Sequence, residues 1–141
     1  MRYLSIDFGT RRCGLAVCDN SETLTSPFAV LEKQKLLDEI SKIIESEKVD
    51  AIVIGLPLNM DGSAGRQAQK VRNFAEQIKK ITKVPVYFQD ERLSTFSAAE
   101  KLSQIELPKN KKKNKLDAIA AAQILEAFLE VKKAKQSQQK I

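Results

Sequence analysis

No histidine occurs among the 141 residues of this chain. That absence removes Ser-His-Asp and Cys-His mechanisms, imidazole acid–base chemistry and the commoner zinc sites together. Cysteine is scarce: Cys13 and Cys18 lie in one strand-like run, where alternation sends their side chains to opposite faces and beyond disulfide reach. Both read as packing residues of a protein kept in a reducing compartment. No apolar run reaches the roughly 18 residues that a membrane-spanning helix needs, and Asp7 interrupts the apolar N-terminus before a signal segment can form. A soluble, cytoplasmic protein is expected, with no membrane partner. Any catalysis must rest on carboxylates, lysines or metal ions.

The length falls in the usual single-domain range of about 100–200 residues, so one domain is expected over residues 1–133, followed by a basic, disordered tail over 134–141. The net charge of +6 is unevenly placed. Five lysines crowd Lys109–Lys115 and four more lie in Lys132–Lys140, with no acid in either stretch. Setting those nine aside leaves 15 basic against 18 acidic side chains. The internal lysine tract, Lys111, Lys112 and Lys113 at its centre, reads as a loop able to touch phosphates. The tail reads equally well as a solubilising charge run.

Strand-like runs cover Tyr3–Phe8, Gly14–Cys18 and Leu24–Leu31, and Pro27 makes the third an edge or irregular strand. Helical spacing of Leu36, Leu37, Ile40, Ile43 and Ile44 predicts a surface helix over Lys33–Lys48. Ala51–Leu56 is apolar on both alternating sets, as a central, doubly covered strand should be. A loop over Pro57–Gly65 leads to a helix whose core side runs from Ala68 to Ile81. Another strand follows at Val84–Gln89, then a short helix over Ser94–Ser103, and a last helix from Leu116 to about Lys133. The order predicts an α/β fold in which an antiparallel meander joins parallel βαβ units in one mixed five-stranded sheet flanked by helices. Ligands gather at the carboxyl ends of strands in such sheets.

Three acidic sites fall where that architecture can gather them: Asp7 after the first strand, Asp90 and Glu91 after the fifth, and Asp117 in the first turn of the last helix. Phosphodiester hydrolysis needs an activated water and a neutralised phosphorane, and hard oxygen ligands hold Mg²⁺ or Mn²⁺ for both. Each acid also has a plain structural role open to it. Asp7 can cap its own turn before Gly9. Asp90 and Glu91 can pair with Arg92 or cap the helix near Ser94, and as strand neighbours only one of them faces the site. Asp117 suits a first helical turn capped by Asn114.

Four segments carry a resemblance: Leu4–Ala16 around Asp7-Phe8-Gly9-Thr10, Ile54–Gly62, Asp90–Thr95, and Leu116–Ala121. In order and spacing they resemble the motifs of the YqgF family, the group named for Holliday junction resolvase-like proteins and precursor 16S ribosomal RNA nucleases. The similarity runs from about Met1 to Glu130. It implies a ribonuclease H-like fold, a divalent-metal site, and cleavage of structured nucleic acid. The expected substrate is the small-subunit ribosomal RNA precursor, within ribosomal precursor particles, and the older family reading is the four-way DNA junction. Asp7 matches the first-strand metal ligand, Glu91 or Asp90 the second acid, and Asp117 the acid of the final helix.

The chain departs from the wider ribonuclease H-like pattern in placing Gly55-Leu56-Pro57-Leu58-Asn59, without an acid, after the fourth strand. Asp61 is a further candidate, though Asp-Gly reads first as a turn. Arg11, Arg12, Arg66 and Arg92 stand near strand ends or helix starts, where guanidinium groups hold phosphates. Two other readings stay open: a non-catalytic RNA-binding assembly factor, and an actin-like ATP-binding domain, which lacks its second Gly-rich motif here. A monomer and a homodimer are both compatible with the sequence.

Overall fold

The computed structural model describes residues 1–9, 11–91 and 109–139. Its strands are β1 (Tyr3–Phe8), β2 (Arg12–Cys18), β3 (Thr25–Glu32), β4 (Ala51–Leu56) and β5 (Val86–Asp90). Its helices are α1 (Lys33–Ser46), α2 (Arg66–Ile81) and α3 (Lys109–Gln139). The strands form one sheet in the order β3-β2-β1-β4-β5. Pairing is antiparallel from β1 to β3 and parallel from β1 through β4 to β5, the mixed five-stranded arrangement expected.

The positions follow from composition. β4 is buried along its whole length and lies inside the sheet, as its two apolar faces require. β3 lies at an edge, where Pro27 costs no ladder bond. Its register passes from Leu15↔Ala29 to Ala16↔Pro27, leaving Phe28 as a bulge residue beside the proline.

Alternation along β1 divides the core. Leu4 and Ile6 point to α1 and α2, joining Leu36, Ile40, Val71 and Phe74 in the larger apolar layer. Tyr3, Ser5 and Asp7 are on the other face, where Tyr3 and Val53 meet Ile124, Leu125 and Leu129 of α3. Cys13 and Cys18 fall in different layers, both buried and unpaired as thiols. Each fully buried leucine or isoleucine contributes about 1.5–3 kcal/mol.

The last helix departs from expectation at both ends. It begins at Lys109, inside the tract read as a loop, and continues to Gln139, through most of the segment read as a disordered tail. Lysine, glutamine and alanine are strong helix formers, and the sequence after Pro108 contains neither glycine nor proline to stop the helix. Arg92 and the helix expected over Ser94–Ser103 lie outside the described residues. Among the described residues, no helix is long and apolar enough to cross a membrane.

Three contacts fix α3 on the sheet. Ser5 Oγ donates to the Ala121 carbonyl at 2.6 Å. Ala121 and Ala122 present small side chains to Ala16, letting helix and sheet approach closely. Farther along, Lys132 Nζ donates to Glu22 at 2.5 Å and to the Tyr3 hydroxyl at 2.9 Å.

Candidate active site

Asp7 ends the row of β1 side chains that faces α3. Its partner in the antiparallel register is Gly14 on β2. On the other side Ile6 pairs with Ile54, which brings the next residue of β4, Gly55, alongside Asp7. The carboxylate is thus flanked by a glycine on each neighbouring strand, and each glycine leaves room for one further acid. A Cβ at Gly14 would run into the backbone carbonyl of Asp117. A Cβ at Gly55 would run into the Glu91 carboxyl and stand 2.6 Å from Ile124 Cδ1. Close approach of another backbone or side chain is the usual reason for glycine within a strand.

The resulting electrostatics are strained. Asp7 and Glu91 are hydrogen-bonded to each other, carboxyl to carboxyl. Burial chiefly raises the pKa of Asp7; the bond to Glu91 lowers it and the negative charge of Asp117 raises it again. Glu91 is pushed up to about 8, first by burial, then by the charge of Asp7, the hydrogen bond to it, and the charge of Asp90. At neutral pH the pair holds one proton between the two carboxyls.

Of the acids expected from the sequence, the structure brings Asp7 and Glu91 into contact and places Asp117 within electrostatic reach. Glu91 is the member of the Asp90-Glu91 pair that touches Asp7, while Asp90 acts on Glu91 through its charge. Among the described residues, no three acids close into one ligand group. Asp117 Oδ2 instead lies 3.8 Å from Arg12 Nη2. Asp61 holds its own turn, accepting from Ser63 N–H at 2.9 Å and Ser63 Oγ at 2.6 Å beside Gly62 at φ 88°. Arg66 opens α2 at the surface, and Arg11 is exposed on the far side of the sheet. Lys111, Lys112 and Lys113 occupy the first turns of α3, ahead of Asp117.

Gly14, Gly55 and Ser5 position the acids, yet none is acidic or basic and the reading of charges passed over them. Their signal was present in the sequence: an isolated glycine in each of two apolar strands, and a small hydroxyl side chain between apolar neighbours in β1.

The donor set suits a hard divalent cation. It consists of carboxylate oxygens, with neither imidazole nor exposed thiol among them, as hard, oxygen-preferring ions require. The proton that Asp7 and Glu91 hold between them relieves the repulsion of two half-buried carboxylates, and a cation relieves it by the same means.

The family model described as "RuvX: Holliday junction resolvase" matches residues 1–131. A protein of Maridesulfovibrio salexigens named "Putative pre-16S rRNA nuclease" is 42% identical over 132 residues, covering 92% of this chain and 98% of its own. A protein of the same name from Bartonella bacilliformis is 41% identical over 128 residues, covering 89% of this chain and 80% of its own. Thermus thermophilus RuvC, solved in complex with a Holliday junction substrate, superposes with a TM-score of 0.58 at 16% identity, over 94% of this chain and 95% of that one. That likeness establishes the ribonuclease H-like fold. With nearly its whole length matched by the family model and by these relatives, the chain belongs to the RuvX family of Holliday junction resolvases.

Proposed function

We propose that this protein is a divalent-metal-dependent nuclease that hydrolyses phosphodiester bonds in structured nucleic acid, with the 5′ end of precursor 16S ribosomal RNA as its substrate. The observation that carries the reading is the contact between the Asp7 and Glu91 carboxyls, with Asp117 adding a third negative charge. Two half-buried carboxyls driven together against their repulsion are costly to a fold that gains nothing from them. Asp7, Glu91 and Asp117 are the residues that would hold Mg²⁺ or Mn²⁺. When bound, such an ion supplies an activated water and neutralises charge on the reacting phosphate. Arg12 keeps Asp117 oriented and limits its charge. Arg66 and the lysines that open α3 offer the phosphate contacts of the wider substrate. The names of the relatives favour ribosomal RNA; the family description favours the four-way DNA junction.

The test compares wild type with Asp7→Asn on a precursor 16S RNA fragment and on a four-way junction, each in Mg²⁺ and in Mn²⁺. Cleavage of the RNA by wild type, lost in the variant, is the expected result. Cleavage of the junction alone moves the substrate to DNA. Equal rates for both proteins refute the acid site. Two inert proteins that bind RNA equally well point to an assembly factor.

A further inference from the structure

On the face of the sheet opposite the acids, a cavity of about 670 Å³ lies between the start of α1, the middle of α2 and the end of β1. Phe8 forms part of its floor, and Arg11, Lys33 and Lys70 bring three cations to it against one acid, Glu32. Among the described residues, none of the three cations has a carboxylate within 4.0 Å. Lys33 lies instead over the Phe8 ring, its ammonium 4.9 Å from the centroid.

The adjoining end of α1 adds to this imbalance. Its first turn holds Lys33 and Lys35 and no acid, and Glu32 at the N-cap makes no side-chain capping bond. Cations at the positive end of a helix are unfavourable by about 0.3–1 kcal/mol each. An anion seated there removes that cost and accepts the free backbone N–H groups. Four like-signed features therefore converge on one concave space: three side-chain cations and a helix terminus.

The cavity stands back to back with the acid site. Asp7 and Phe8 are consecutive in β1, so one faces α3 and the other faces the cavity. At the end of β1, where the chain leaves for β2, the Gly9 N–H donates to the Arg12 carbonyl at 3.0 Å. Arg12 lies on the acid side and Arg11 on the cavity side. A polynucleotide crossing the end of β1 meets both.

We propose that this cavity is a second polynucleotide-binding site, which takes a single-stranded segment of the substrate. Its volume is in the range of about 300–1,000 Å³ that encloses a small ligand, enough for a nucleotide or two, whereas the major groove of a duplex alone is about 12 Å wide. Lys33, Lys70, Arg11 and the α1 terminus take phosphates. A base displaces the Lys33 ammonium from the Phe8 ring, and the amides of Asn73 and Gln77 offer donors and acceptors to its edge. That the segment flanks a cut bond rests on the nuclease reading; the binding does not.

The test measures binding of a single-stranded RNA oligonucleotide of about ten residues across a range of salt, with EDTA present so that nothing is cleaved. Against wild type, Lys33→Gln/Lys70→Gln is expected to bind roughly tenfold more weakly. Its slope of log affinity on log salt is expected to flatten by about 1.4, at about 0.7 for each phosphate no longer neutralised. Lys42→Gln/Lys80→Gln removes the same charge from exposed positions elsewhere on α1 and α2 and is expected to keep the wild-type slope. The first variant should melt no lower than wild type, because it takes a cation away from the positive end of α1. An unchanged slope in it, or an equal change in both variants, overturns the proposal. Cleavage by wild type in Mg²⁺ is scored separately. Loss of binding without any wild-type cleavage refutes the nuclease reading and keeps the cavity; cleavage with an unchanged slope does the reverse.

Discussion

Replacing Glu91 by glutamine should stabilise the metal-free protein, and only at the upper end of a defined pH range. The unfolded chain releases the Glu91 proton near 4.5 and the folded chain near 8. Between those values the folded state holds a proton that the unfolded state has lost, so wild-type stability falls as pH rises and levels off above about 8. At about 1.4 kcal/mol per pH unit the full interval corresponds to about 5 kcal/mol, and the partial exposure of Glu91 and relaxation of the site reduce this to about 3 kcal/mol. Glutamine donates to Asp7 as the protonated acid does and has no proton to lose. The two proteins should therefore be equally stable near pH 5, and Glu91→Gln should be more stable by about 3 kcal/mol at pH 8, or about 6–12 °C in melting temperature for a chain of this size. No histidine titrates in that window, and burial pushes both thiols up, Cys13 to about 11. The assay is thermal or urea unfolding in EDTA at half-unit pH steps. A wild-type stability that is flat or rising between pH 5 and pH 8, or a variant that follows the wild-type curve, would refute the shared-proton geometry.

Titrating Mg²⁺ into the protein at pH 7 in two buffers of different ionisation enthalpy should release close to one proton per ion from Glu91, whereas Glu91→Gln should release none. Gly14→Ala drives a methyl group into the α3 backbone; overpacking of this kind costs about 1–3 kcal/mol, and a displaced Asp117 should lower cleavage by about a hundredfold. Gly55→Ala meets the ends of the Glu91 and Ile124 side chains and should lose comparable activity at a smaller cost in melting temperature. Ser5→Ala removes the bond to the Ala121 carbonyl and should cost about 1 kcal/mol in urea unfolding. Lys111, Lys112 and Lys113 replaced together by glutamine should weaken RNA binding and flatten its salt dependence, and an unchanged slope would make those lysines spectators.

The sheet was legible because its strands differ in kind. β4 announces burial on both faces, β1 carries a carboxylate next to its last residue, and Pro27 marks an edge, so the mixed sheet and the position of Asp7 at a strand end followed from local pattern. The choice between Asp90 and Glu91 was not legible, because the parity of the last strand residue depends on where β5 gives way to the following turn. The extent of α3 was misjudged for a related reason: a run of like charges resembles a loop in composition, while its residues individually favour helix. The pairing of Arg12 with Asp117 spans more than a hundred residues, and no local signal foretells it. The cavity beyond β1 was invisible for the same reason, since its cations come from three separate segments.

The bond from Ser5 to Ala121 joins residues 116 apart. Asp7 is synthesised 110 residues ahead of Asp117 and waits for α3 before Asp117 can reach it. Until the helix that begins at Lys109 has been synthesised and has docked, the nascent chain carries two of its acids and not the third. A chain that stops short of that helix has the pair of carboxyls without the charge that completes the group.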